Sequence, residues 1–223
     1  MRGRLIVVEG TDCSGKETQT KLIEEKLTKL GRKVKRYSFP MYDTPTGKIV
    51  GGPYLGKSYI CNGWFNEGAP NVNYKVASLL YAADRLYNID KITNDLESGI
   101  DIILDRYIYS NMAHQGGKIV DKTEREKMYK WLDELEFNLL ALPHPDVKIF
   151  LHMPTEYSKI LKQNRAQTES LDQHEADENH LKNAENAYLE ICDIYGFKKV
   201  ECVKDGNIRT IEDINNEVFE DLK

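Results

Sequence analysis

The sequence predicts an α/β fold, with a parallel, doubly wound sheet carrying helices on both faces. Three observations predict it. Short runs of apolar residues, too hydrophobic to alternate with polar ones, recur along the chain. Helical patterns separate them. A glycine-rich turn stands where the first run stops, followed directly by a helical pattern.

The apolar runs lie at 5–8, 100–104, 147–151 and 200–203, and a fifth, more basic run lies at 34–37. Helical patterns cover 15–30, 72–97, 122–140, 155–165, 177–195 and 211–222. Two segments are irregular. Residues 43–70 hold three prolines and six glycines and read mostly as loop. Residues 166–176 are polar, lack glycine and proline, and read as a lid or a helical connection.

Bulk composition narrows the classes. The chain has 223 residues, 40% of them hydrophobic and 30% charged, so it can bury a core and is not of disordered type. The net charge of −5 argues against coating DNA or RNA. Cys13, Cys61, Cys192 and Cys202 match no C-x-x-C pair, which suits reduced thiols. The first residues predict no signal peptide, and no stretch approaches the ~18 apolar residues of a membrane span. The expected place is the cytoplasm, with neither a nucleic-acid nor a membrane partner.

The run at 5–8 leads through Glu9 into Gly10, Thr11, Asp12, Cys13, Ser14, Gly15, Lys16, Glu17 and Thr18. Strand, G-x-x-x-x-G-K and helix is the Walker A layout. Glycines let backbone N–H groups wrap a phosphate, the helix adds its positive end, and Lys16 offers a point charge. The residue after the lysine, usually Ser or Thr, is here Glu17. The run at 100–104 ends in Asp105, Arg106 and Tyr107. Its end should emerge beside the cradle, where Asp105 can hold Mg²⁺ and Arg106 can fork onto a second phosphate. A surface ion pair capping the strand is the alternative for these two. No Asn-Lys pair occurs, so the base-reading motif of GTPases is absent.

Further motifs narrow the reading: Phe39-Pro40, then Leu79-Leu80-Tyr81-Ala82-Ala83-Asp84-Arg85, Ser110-Asn111, and a closing Asp205-Gly206-Asn207. In this order after such a P-loop they resemble the thymidylate kinase family of P-loop nucleoside monophosphate kinases, over nearly the whole length. The resemblance implies a single domain over 1–223: a three-layer P-loop sandwich with a five-stranded parallel sheet flanked by helices, an acceptor-covering loop at about 43–70 and a small lid at about 163–177. It implies ATP and dTMP as substrates, Mg²⁺ with the ATP, dTDP and ADP as products, and a homodimer through helix 72–97. Another nucleoside monophosphate such as dUMP as acceptor, or a non-catalytic ATP-binding switch, stays open.

The resemblance also implies roles. Tyr81 stands where an aromatic stacks on thymine, and Arg85 where an arginine donates to a thymine carbonyl. Asn111, with donor and acceptor on one amide, can read the N3–O4 edge. Asp12 matches an acid that meets the acceptor 3′-hydroxyl and the magnesium shell. Phe39 and Pro40 wall the acceptor site, and Tyr42 reaches its phosphate. Met41 replaces an arginine common in the family, and His114 replaces a Tyr or Phe that screens against a ribose 2′-hydroxyl. A core tyrosine at 81, an ion pair at 85, a helix cap at 111 and a turn former at 12 are the plain alternatives. In the family a catalytic arginine comes from the P-loop or the lid. Positions 11–14 carry no base, and Arg165 is the only arginine between Arg125 and Arg209, so the role falls to Arg165. Asp172, His174 and Glu175 read as lid hydrogen bonds or solvated charges. His174 and His180 lie six apart, not at H-E-x-x-H spacing, so no zinc site is expected there.

Overall fold

The structure is a computed structural model, and it describes residues 2–165, 174, 177–220 and 222, with the side chains of 162–165 excepted. The elements run β1 (Leu5–Gly10), α1 (Lys16–Lys29), β2 (Val34–Ser38), α2 (Pro45–Ile49), α3 (Tyr74–Glu97), β3 (Asp101–Asp105), α4 (Ile108–Gly116) and α5 (Lys122–Asp133). They continue β4 (Val147–His152), α6 (Thr155–Arg165), α7 (Glu178–Tyr195), β5 (Lys198–Glu201), β6 (Val203–Lys204), β7 (Asn207–Ile208) and α8 (Ile211–Glu220). The main sheet is parallel, in the order β2-β3-β1-β4-β5. Five parallel strands between helices are the expected sandwich.

Neighbouring residues of β1 show why its sequence does not alternate. Leu5 and Val7 belong to the core on one face, with Ile92 of α3, Met112 of α4 and Leu132 of α5. Ile6 and Val8 belong to the other, with Ile23 of α1 and Val218 of α8. A strand buried on both faces needs apolar residues at every position. Register aligns the carboxyl ends. Val8 pairs with Asp105, and Asp105 with Ser38, so β1, β2 and β3 deliver their outgoing loops side by side.

Residues 43–70 are mostly turn and irregular backbone, as expected, but they open on helix. Thr44 caps α2 by accepting from Gly47 N, and a π-helical turn Val50–Tyr54 follows. Tyr54, Val50 and Leu55 form a small core with Ala69, Val72 and Ala77. Glycine serves packing here: a Cβ on Gly52 would lie 2.6 Å from Cys61 Sγ. Asp84 of α3 fixes the start of the segment, accepting from Met41 N (3.0 Å) and Thr46 Oγ1 (2.9 Å).

The helix expected over 122–140 is α5 followed by a π-helical turn, Glu134–Leu139. The wider turn carries Glu136 inward to complete burial, where it meets Arg85. The helix α4 lies where no helical period is legible. Its N-terminus is satisfied from afar: Glu9 Oε1 accepts from Tyr107 N (2.7 Å) and Ser110 N (3.1 Å). The strand expected at 200–203 sits earlier, as β5, because Val203 leaves the sheet for a hairpin with β7.

One ionic joint ties β4 to α7 and β5. His152 Nδ1 meets Glu201 Oε2 at 2.6 Å and His152 Nε2 meets Glu185 Oε1 at 3.2 Å. The hydrogen bond to Glu185 raises the His152 pKa against the opposing effect of burial, and Glu201 adds to the rise. Burial alone would push the Glu185 carboxyl up, but hydrogen bonds from His152, Thr155 and Lys182 hold it at about 2. A histidine whose folded pKa is raised contributes stability that is complete below its unfolded value of about 6.5. That contribution fades as pH climbs through the folded value. The melting-temperature difference between the parent and His152→Gln is therefore expected to be largest at pH 6 and to shrink steadily above pH 6.5. A difference independent of pH between 6 and 9 would contradict the assignment.

Candidate active site

The turn after β1 is built for close approach. A Cβ on Gly10 would sit 2.4 Å from Ser14 Oγ and 2.9 Å from the Leu151 carbonyl, so only glycine fits. Gly15 caps α1 at φ 78, and Cys13 also takes a left-handed conformation, φ 58. Thr11 Oγ1 donates to the Met153 carbonyl at 2.6 Å and anchors the turn to the end of β4. Lys16 is buried, and its ammonium donates to the carbonyls of Gly10 and Thr11, both at 3.0 Å. Burial and the charge of Arg106 lower its pKa, with Asp105, Asp12 and Glu9 opposing.

Arg106, directly after β3, is left-handed at φ 68. That is uncommon for a side chain with a Cβ and marks a constrained site. Arg106 Nη2 donates to Asp12 Oδ1 at 2.6 Å, and Nη1 donates to Ser110 Oγ (3.2 Å) and Tyr188 Oη (3.3 Å). Burial works against the Asp12 charge, yet Arg106 holds its carboxyl far below the usual range. Beneath them lies Glu9, fully buried, whose Oε2 accepts from Ser110 Oγ (2.5 Å) and Tyr188 Oη (3.1 Å). Burial pushes the Glu9 pKa up despite these donors.

Arg85, Asn111 and Tyr81 line the same cavity. Arg85 is 2% exposed and donates from Nε and Nη2 to Glu136, the latter at 2.6 Å. The ion pair left open at 85 is thus real and internal. Its guanidinium has five N–H groups, so the pair leaves others for a ligand. Asn111 Nδ2 donates to the Ser78 carbonyl (3.1 Å), so the residue is not a helix cap, while its buried Oδ1 has no partner. Tyr81 packs edge-on against Tyr54, ring centroids 5.7 Å apart.

These groups share one cavity of about 470 Å³. Its walls include Asp12, Cys13, Ser14, Gly15, Lys16, Glu17, Thr18, Phe39, Pro40, Tyr42, Tyr81, Arg85, Asp105, Arg106, Asn111 and His114. Gly10 and Thr11 support the turn from behind. The Glu17 carboxylate is exposed and paired with Lys21 Nζ at 2.6 Å. Arg165 ends α6, but its side chain lies outside the described residues, as do Asp172 and Glu175. Ser38, Leu55 and Lys57 also line the cavity, and no motif marked them in the sequence, nor Glu9 and Tyr188, which hold Ser110. For Glu9 one signal existed, a carboxylate closing an apolar strand.

A glycine-rich turn with a buried lysine at the end of the central strand, sharing one cavity with buried Arg85 and Asn111, defines a P-loop phosphotransferase. The family profile for thymidylate kinase matches residues 8–213. A probable thymidylate kinase of Thermococcus kodakarensis is 33% identical over 220 residues, 95% of this chain and 98% of its own. One of Pyrococcus abyssi is 34% identical over 191 residues, 83% and 84% of the two chains. The solved thymidylate kinase of Candida albicans superposes with a TM-score of 0.72 at 26% identity, covering 99% of this chain and 91% of its own. The chain belongs to the thymidylate kinase family. Among the described residues no helix is long and apolar enough to cross a membrane.

Proposed function

We propose that the chain transfers the γ-phosphoryl group of ATP to dTMP, giving ADP and dTDP, on the route to dTTP. One observation carries the reading: a single cavity holds the P-loop lysine and, facing it, a buried pocket whose free acceptor is Asn111 Oδ1. Thymine presents an N3–H donor, which that oxygen can accept. Arg85 donates to a ring carbonyl with the N–H groups Glu136 leaves, and Tyr81 lies beneath the ring. Phe39, Pro40 and Tyr42 wall the pocket.

Arg106 binds the acceptor phosphate with its fork, and Asp12 orients that fork and meets the 3′-hydroxyl. Lys16 draws charge from the β- and γ-phosphates. The carboxylates of Asp105 and Asp12 are hard oxygen donors suited to Mg²⁺, and Glu17, turned to Lys21, is not among them. Bound with ATP, the ion neutralises phosphate charge. No covalent intermediate is required, so catalysis rests on positioning and electrostatics. Arg165 supplies charge from the lid, a role that an unchanged kcat in Arg165→Ala would contradict.

A dimer through α3 belongs to the same reading. Val76, Leu79 and Leu86 are 45%, 50% and 44% exposed, and with exposed Ala83 they follow 3-4-3 spacing along one stripe. A sedimentation mass equal to one chain of 25.7 kDa would contradict it. The cytoplasm is the proposed location.

Labelled transfer tests the function. With γ-labelled ATP, Mg²⁺ and dTMP, the label should appear in dTDP. Label appearing only in inorganic phosphate would make the protein an ATPase and overturn the reading.

A further inference from the structure

Three imidazoles from two distant parts of the chain meet beside the cavity. His114 lies near the end of α4, His180 in the first turn of α7, and His174 just before that helix. Among the described residues they are the one group of three or more His, Cys, Asp or Glu side chains placed to share an ion. One nitrogen from each lies within 4.8 Å of the others. His114 Nδ1 and His180 Nε2 are 3.1 Å apart. The rings of His174 and His180 have centroids 4.2 Å apart. His174 and His180 are 5% and 6% exposed, and His114 and His174 line the main cavity.

The geometry suits a tetrahedral ion. Zinc–nitrogen bonds of about 2.0–2.1 Å place two ligand nitrogens about 3.3 Å apart. The 3.1 Å pair is already near that separation. The third nitrogen, within 4.8 Å of both, must move closer to complete the set. Tyr54 Oη lies 3.0 Å from His174 Nε2 and supplies the outer hydrogen bond that orients a ligating imidazole. Burial keeps His114 and His174 neutral, the form that binds metal. Two cations oppose an ion here. Arg106 Nη1 is 3.5 Å from His114 Nε2, and Lys118 Nζ is 3.4 Å from Tyr54 Oη. Asp12 answers the first at 2.6 Å.

We propose that His114, His174 and His180 form a three-imidazole site for a zinc-class divalent cation, with its fourth position open to the acceptor cavity. Three protein ligands and one open position is an arrangement zinc accepts. Imidazoles select it over Mg²⁺, which prefers carboxylate and phosphate oxygen. The bound ion ties α4, which carries Asn111, to the start of α7.

The full chain, stripped by chelator and free of nucleotide, is titrated with Co²⁺ and then Zn²⁺. The expected result is one equivalent of Co²⁺ with the intense visible bands of a four-coordinate site and no thiolate charge-transfer band. Zn²⁺ displaces it and excess Mg²⁺ does not. His180→Gln and His174→Gln each weaken Co²⁺ binding at least about tenfold. Zn²⁺ raises the melting temperature of the parent but of neither variant. Absence of stoichiometric binding overturns the site, as do six-coordinate or thiolate spectra, or unchanged affinity in both variants. Where one variant does not fold, the other and the parent's cobalt spectrum decide.

Discussion

Lys16→Ala is expected to lower the turnover of dTMP by about 10²–10³-fold, the usual cost of one preorganised donor aimed at transition-state charge. The ammonium is held ready. It is buried and bonded to two carbonyls of the turn that would wrap the phosphates. The pocket proposed for dTMP, built on α3 and α4, is left intact, so KM for dTMP should move little. Lys16→Arg should recover little of the loss, because a planar fork does not fit a place made for a point charge. Steady-state ADP release reads both parameters. A kcat within threefold of the parent for Lys16→Ala would remove Lys16 from the chemistry.

The second large effect is on stability. Glu136→Ala leaves the Arg85 guanidinium buried without its partner. Burial disfavours that charge, and Glu136 outweighs burial and raises the Arg85 pKa. Breaking such a pair costs about 3–5 kcal/mol. For a chain of this size that is roughly a 6–20 °C fall in melting temperature. The double variant Arg85→Met with Glu136→Leu should recover much of the stability, since apolar packing often replaces a buried pair without loss. It should still bind dTMP poorly, because Arg85 lines the pocket. Calorimetry with KM for dTMP separates the two roles. A double variant with parental KM would confine Arg85 to the scaffold.

What was legible in the sequence is what local chemistry writes there. The turn from Gly10 to Lys16 needs particular residues in one short stretch, so it could be read outright. The strand β1 and the helix α6 likewise follow from runs of neighbouring residues. What was not legible depends on partners far along the chain. The cap of α4 is Glu9, 98 residues from Tyr107. The glycines at 51 and 52 look like loop, yet they pack against Ile60 and Cys61 in a buried turn. Glu136 reaches Arg85 because α5 widens into a π-helical turn, which no period betrays. His174 and His180 have no metal spacing between them, and His114 joins them only in the fold.

The most direct test is coupled ADP release with ATP and Mg²⁺ against dTMP, dUMP, dCMP, dGMP, UMP and thymidine, with a blank lacking acceptor. Turnover with dTMP is expected well above the blank and above every other acceptor. Preference for another monophosphate would keep the phosphotransferase and contradict the roles given to Tyr81, Arg85 and Asn111. ATP binding without any acceptor-dependent turnover would contradict the kinase itself.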